Sequence, residues 1–142
     1  MLPPQLNFVT LACRDVERMA RFFRELGWPE SPESEPAHRL FQLPNGVVLA
    51  LYGLENYEPH HGPLGERFRG VTLGINVGSR EEVVQAHAAL ASADGVADLG
   101  EPVDLAHGFT GFGFRDPEGN IWSVVWKHGS IVDDQGHLTF AP

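Results

Sequence analysis

The side chains best equipped for chemistry in this chain are seven histidines, His38, His60, His61, His87, His107, His128 and His137, together with Cys13, Tyr52 and the carboxylates Asp116 and Glu118. Imidazole holds metals or moves protons near neutral pH, yet no two of the seven stand at the i, i+4 spacing that puts two ligands on one helix face. His60 and His61 lie in a Gly/Pro-rich loop and His107 precedes Gly108, so a metal site rebuilt from them would have to be assembled in space. Adjacent loop histidines are ordinarily solvated. His87 falls on the apolar side of a helical stretch, which predicts a hydrogen-bonded, partly buried ring. Asp116 and Glu118 resemble a catalytic pair, but Asp-Pro-Glu-Gly-Asn is turn chemistry: Asp accepts local backbone bonds and Gly takes positive φ. Cys13 alone allows neither an internal disulfide nor a cysteine zinc site, as expected in a reducing compartment, and has no thiolate-stabilising neighbour in sequence. Tyr52 is the best acid/base candidate, since a positioned phenol hydroxyl can give or take a proton.

The elements that carry these groups follow from pattern. Residues 7–13, NFVTLAC, read as a strand, and Asp15 caps a helix whose apolar residues Val16, Met19, Phe22, Phe23 and Leu26 recur at helical spacing. Gly27 and Pro29 stop it. PESPESEP predicts a loop or poor edge strand, since proline cannot donate to a ladder. HRLFQL and VVLALY flank Pro44-Asn45-Gly46, a tight hairpin turn. A Gly/Pro/His-rich loop over 54–69 precedes a second copy of the same order. VTLGINV is a strand, and Ser79 caps REEVVQAHAALA with Glu82 completing a capping box. Strands follow around 101–105, 110–115 and 121–126. The chain is thus one domain over 1–142: module one about 6–53, module two about 70–127, and a tail over 128–142 that either adds a strand, covers a site or hangs free.

Successive strand residues point to opposite faces. One parity collects Val9, Leu11, Val47, Leu49, Leu51, Val71, Leu73, Ile75, Val77, Trp122, Val124 and Trp126, the face expected to carry the helices. The other collects Phe8, Thr10, Ala12, Val48, Ala50, Tyr52, Thr72, Gly74, Asn76, Ile121, Ser123 and Val125, smaller and more polar, as suits the wall of a ligand cavity. Phe112 and Phe114 alternate with Gly111 and Gly113, and parity alone leaves two positions open for them: lining the cavity or filling the core.

Composition narrows the function classes. A 42% hydrophobic, 10% aromatic chain of 142 residues is globular. Ten Lys and Arg against 19 Asp and Glu, net −9, disfavour nucleic acid and anionic membrane surfaces and suit a neutral or cationic ligand. With no apolar run of membrane-spanning length and no signal-type opening, a soluble, cytoplasmic protein is expected.

The segments LNFVTLACRDVERMARFFRELGW, VVLALY, LGINVGSREEV and FRDPEGNIWSVVW, in this order over about residues 6–127, resemble the vicinal oxygen chelate superfamily, which includes glyoxalase I, bleomycin-resistance proteins and extradiol dioxygenases. The resemblance implies an α+β fold, two tandem βαβββ modules forming a curved mixed-sheet cup with helices on its outer face. It also implies four cavity-facing metal ligands, which fall on Phe8, Ala50, Thr72 and Ser123. None is His or Glu, so no metal and no other cofactor is expected. The expectation is a homodimer that binds a small organic molecule, basic or aromatic, in a pocket of Phe8, Thr10, Ala50, Tyr52, Thr72, Asn76, Phe112, Phe114 and Ser123. The alternative is a lyase, isomerase or dioxygenase-type enzyme using an unidentified metal site or Tyr52 as acid/base. An interaction-only role with a closed cavity is the third possibility.

Overall fold

The computed structural model describes residues 2, 4, 6–61, 63–65, 71–105 and 108–140, residue 60 by its backbone alone. The chain divides into two compact units, 1–67 and 68–142. In the first, strand β1 (Phe8–Cys13) leads into helix α1 (Val16–Glu25), then β2 (His38–Gln42), β3 (Val48–Gly53) and helix α2 (Leu54–His61). Its sheet has the order β1-β3-β2, with β1 parallel and β2 antiparallel to β3. The second runs β4 (Leu73–Asn76), helix α3 (Arg80–Ala91), β5 (Val103–Asp104), β6 (Phe109–Arg115) and β7 (Ile121–Lys127). Its order, β4-β7-β6-β5, repeats the first with one more strand: β4 is parallel to β7, and the other pairs are antiparallel. In the first unit the strand matching β5 shrinks to isolated bridges, Glu30 to Phe41 and Glu35 to His38, because Pro29, Pro32 and Pro36 deny the ladder donors.

Both sheet-covering helices are built by local signals. The Asp15 carboxylate accepts the Arg18 N–H at 3.0 Å, capping α1. At the other end Gly27, at φ +86°, closes a Schellman turn in which the Trp28 N–H reaches the Phe23 carbonyl and the Gly27 N–H the Arg24 carbonyl. The hydrophobic contact that goes with this motif is present, with the Phe23 and Trp28 rings 5.0 Å apart. Met19, Ala20, Phe22 and Phe23 are buried, and Phe23 meets Phe41 of β2 at 5.7 Å. For α3, Ser79 Oγ accepts the Glu82 N–H, while the Glu82 carboxylate returns to the N–H of Gly78, one residue before the position a capping box uses.

Across the outer edge of α1, Arg24 and Arg39 each bridge Glu17 and Glu30, closing a ring of four alternating charges that ties the helix to β2. The hairpin between β2 and β3 turns with only Gly46 at positive φ, +94°. Asn45 instead lends its side-chain oxygen to the Val47 N–H.

One expectation fails here. Residues 54–61, read as loop, form α2, despite Pro59 within it, because contacts along β1 and β3 outweigh weak local propensity. The tail contains a hairpin, β8 (Ile131–Val132) with β9 (Leu138–Thr139). Its turn repeats the bonding of the Asp116 turn: Asp133 accepts the N–H groups of Gln135 and His137 as Asp116 accepts those of Glu118 and Asn120.

Candidate functional site

Register divides each sheet into a face covered by α1 or α3 and an opposite face, helix-free in that neither of these two helices lies on it. In the first unit Val9, Leu49 and Phe41 form one cross-strand row and Leu11, Leu51 and Arg39 the next. Phe41 meets Phe23 of α1, so this is the covered face, and Leu11, Leu49, Leu51 and Phe41 are all buried. The opposite face carries three rows: Phe8–Val48–Gln42, Thr10–Ala50–Leu40 and Ala12–Tyr52–His38. Phe8 is 62% exposed at the sheet end, whereas Ala50 is buried. Tyr52 and His38 are both half-buried, with ring centroids 4.6 Å apart. Sequence reasoning found Tyr52 and missed His38 beside it. The parity of HRLFQL was the available signal, but its register against β3 was not.

In the second unit the covered face holds Leu73, Trp122 and Phe114 in one row and Ile75, Val124 and Phe112 in the next. Trp122 and Phe114 stack at 6.1 Å, and Phe112 takes the edge of His87 from α3 at 5.1 Å. Phe112 and Phe114, offered as pocket residues, are therefore buried core side chains. Their pairing with Val124 and Trp122 puts them under α3. Two other apolar expectations weaken at the strand ends. Val71 precedes β4 and is 65% exposed, and Trp126 is only half-buried, stacked on His128 at 4.2 Å.

The helix-free face of the second sheet carries Gly74–Ser123–Gly113 and Asn76–Val125–Gly111. Thr72 stands exposed one residue before β4, at the parity of Gly74. Phe8, Thr10, Ala50 and Tyr52 thus share one face of the first sheet, and Thr72, Asn76 and Ser123 one face of the second.

The Asp116 turn is structural in every bond. Its carboxylate accepts the Glu118 and Asn120 backbone N–H groups, the Asn120 amide and the Trp122 indole N–H at 2.9 Å. His87 departs from expectation: Nε2 is buried without a hydrogen bond among the described residues, and Glu101 Oε2 is 3.8 Å away. His107 and the side chain of His60 lie outside the described residues. His61 meets the Tyr57 ring at 4.7 Å. Among the described residues no three His, Cys, Asp or Glu side chains are grouped to hold a metal ion. The four positions where the resemblance puts metal ligands offer a phenyl, a methyl and two hydroxyls, a donor set that does not fit a divalent first-row ion.

The family model of the Glyoxalase/Bleomycin resistance protein/Dioxygenase superfamily matches residues 5–124. The chain belongs to this superfamily. A glyoxalase-related enzyme from Fulvimarina pelagi is 29% identical, with TM-score 0.84 over 99% of this chain and 100% of that one. A superfamily protein from Nocardioides, 24% identical, has TM-score 0.75 over 91% of this chain and 87% of its own. A lactoylglutathione lyase from Agrobacterium tumefaciens is 15% identical, at TM-score 0.68 over 87% and 94%; it shares the fold alone. A search of curated proteins finds no match. The superfamily accounts for the repeated sheet order.

Proposed function

We propose that this superfamily member binds a small organic molecule on its helix-free sheet faces and does so without a metal centre. The observation that carries the proposal is the contrast between the two faces of each sheet. One is filled by buried Leu, Phe and Trp under a helix, while the other presents Thr10, Tyr52, Asn76 and Ser123, all half-buried, among Ala12, Ala50, Gly74 and larger neighbours. Ligand sites are built this way, mostly apolar with a few polar groups that orient. Lyase, isomerase and dioxygenase chemistry through a bound ion requires donors of another type at four positions, and these hydroxyls, methyl and phenyl do not supply them. Binding without turnover, as in sequestration of a drug-like compound, needs only the shaped face. The alternative, enzymatic catalysis with Tyr52 as acid/base, has Tyr52 on the same face beside an imidazole to support it.

The test joins elemental analysis of purified protein with a thermal-shift screen of divalent metals and of basic and aromatic compounds. A ligand that binds only the folded state raises the melting temperature by mass action. The expected result is a rise with an organic compound and none with Mn, Fe, Ni or Zn. Stoichiometric metal, or a rise of several degrees with one of those ions, would overturn the metal-free reading.

A further inference from the structure

We propose that the helix-free face of the first sheet holds a planar aromatic cation, stacked against Tyr52 above Ala12; this rests on the binding function just argued and names its ligand class. The row His38–Tyr52–Ala12 crosses β2, β3 and β1. The first two rings already overlap, with centroids 4.6 Å apart and planes inclined by 35°. Neighbouring strands lie about 4.8 Å apart, nearly a stacking repeat, so a third ring over β1 continues the same stack. On β1 this row has only the methyl of Ala12, half-buried on the edge strand of the order β1-β3-β2. One neighbour of Tyr52 in the row is the His38 ring, and the other is a position where the sheet supplies no side chain larger than a methyl.

Charge selects among planar ligands. The electron-rich face of a phenol attracts cations, and the chain carries net −9. Arg39, next to His38 in sequence, belongs to the opposite face and is committed to Glu17 and Glu30. It does not compete for the ring.

The probe is N-methylacridinium, a flat fluorescent cation, titrated into the full chain, with cyclohexyltrimethylammonium as a cation of similar charge but no flat ring. The expected result is saturable binding of the first, at least tenfold tighter than the second, with the acridinium ring protons shifted upfield by Tyr52 in NMR spectra. Ala12→Leu, which fills the third position of the row, and Tyr52→Leu should each weaken binding at least tenfold while helical circular dichroism is retained. The upfield shift in the unaltered chain tests the stack even where a variant fails to fold. Absence of saturable binding, equal affinity for the two cations, or full affinity in folded Ala12→Leu would overturn the site. If N-methylacridinium fails while another compound in the thermal-shift screen binds, this site falls and the binding function stands. If metal is stoichiometric, the metal-free binding function falls first.

Discussion

Asp116 carries more of the local structure than any other single polar residue described. Its carboxylate is almost wholly buried and accepts from two backbone N–H groups, one side-chain amide and the indole of Trp122. Asp116→Ala would leave the indole N–H buried and unpaired and open the turn, at a cost of about 2–3 kcal/mol. Chemical unfolding followed by Trp fluorescence should read a lower midpoint with little change in slope. Asp116→Asn should cost less, since it keeps one acceptor oxygen. This role was legible in the DPEGN string because an Asp-Pro-x-Gly turn is bonded locally. The faces of Phe112 and Phe114 were not legible, because Gly111 and Gly113 on either side of Phe112 supply no apolar or polar side chain from which to judge parity. Only pairing with Trp122 and Val124 supplies the origin. His87 likewise looked satisfied from its helical position, and its Nε2 has no hydrogen bond among the described residues.

At the scale of elements, glycines separate sharply by what surrounds them. Gly111 sits where an added Cβ would lie 2.3 Å from the Val124 carbonyl oxygen and 3.0 Å from the Val125 Cα, both backbone. Gly111→Ala must push β6 from β7 and should cost several kcal/mol, roughly what severe overpacking does. Gly74, on the edge strand β4, has nothing within 4 Å of an added Cβ among the described residues and no positive φ. Gly74→Ala should be neutral or stabilising by about 0.5–1 kcal/mol, since glycine weakens a strand interior. Thermal unfolding of the two variants side by side measures the contrast. Gly27→Ala tests the Schellman turn: its φ of +86° should make the change cost about 1–2 kcal/mol. The helices α1 and α3 and their caps could be read directly, for capping is decided within four residues. Helix α2 could not, because LENYEPHH has little helical preference and is held by β1 and β3.

For the molecule as a whole, the charge ring of Glu17, Arg24, Glu30 and Arg39 predicts acid sensitivity. The Glu17 carboxyl is held below its ordinary value first by its bond to Arg39 and then by Arg24. For Glu30 burial pushes upward, but the bonds to Arg39 and Arg24 outweigh it and the net direction is down. A carboxyl with a folded pKa below its unfolded one contributes stability above the unfolded value of 4.5, and that contribution is lost as pH falls through the folded value. Arg39→Ala, which removes the better buried of the two guanidinium groups, should cost on the order of 1–2 kcal/mol at pH 7, discounted for solvent screening at Glu17. Unfolding measured from pH 7 downward should show the gap between wild type and variant narrowing below the ordinary glutamate range; a constant gap would contradict the assignment.

The sequence by itself determined the repeated strand–helix–strand order, the caps and stops of both sheet-covering helices, the superfamily, and the residue types at Phe8, Ala50, Thr72 and Ser123. All of these depend on residue type and on neighbours a few positions away. Tertiary structure alone decided that Phe112 and Phe114 belong to the core, that residues 54–61 coil into a helix, and that His38 stands against Tyr52 with Ala12 beyond it. The first and third depend on strand register, where one step of slippage turns every side chain to the other face, and the second on contacts of α2 with β1 and β3.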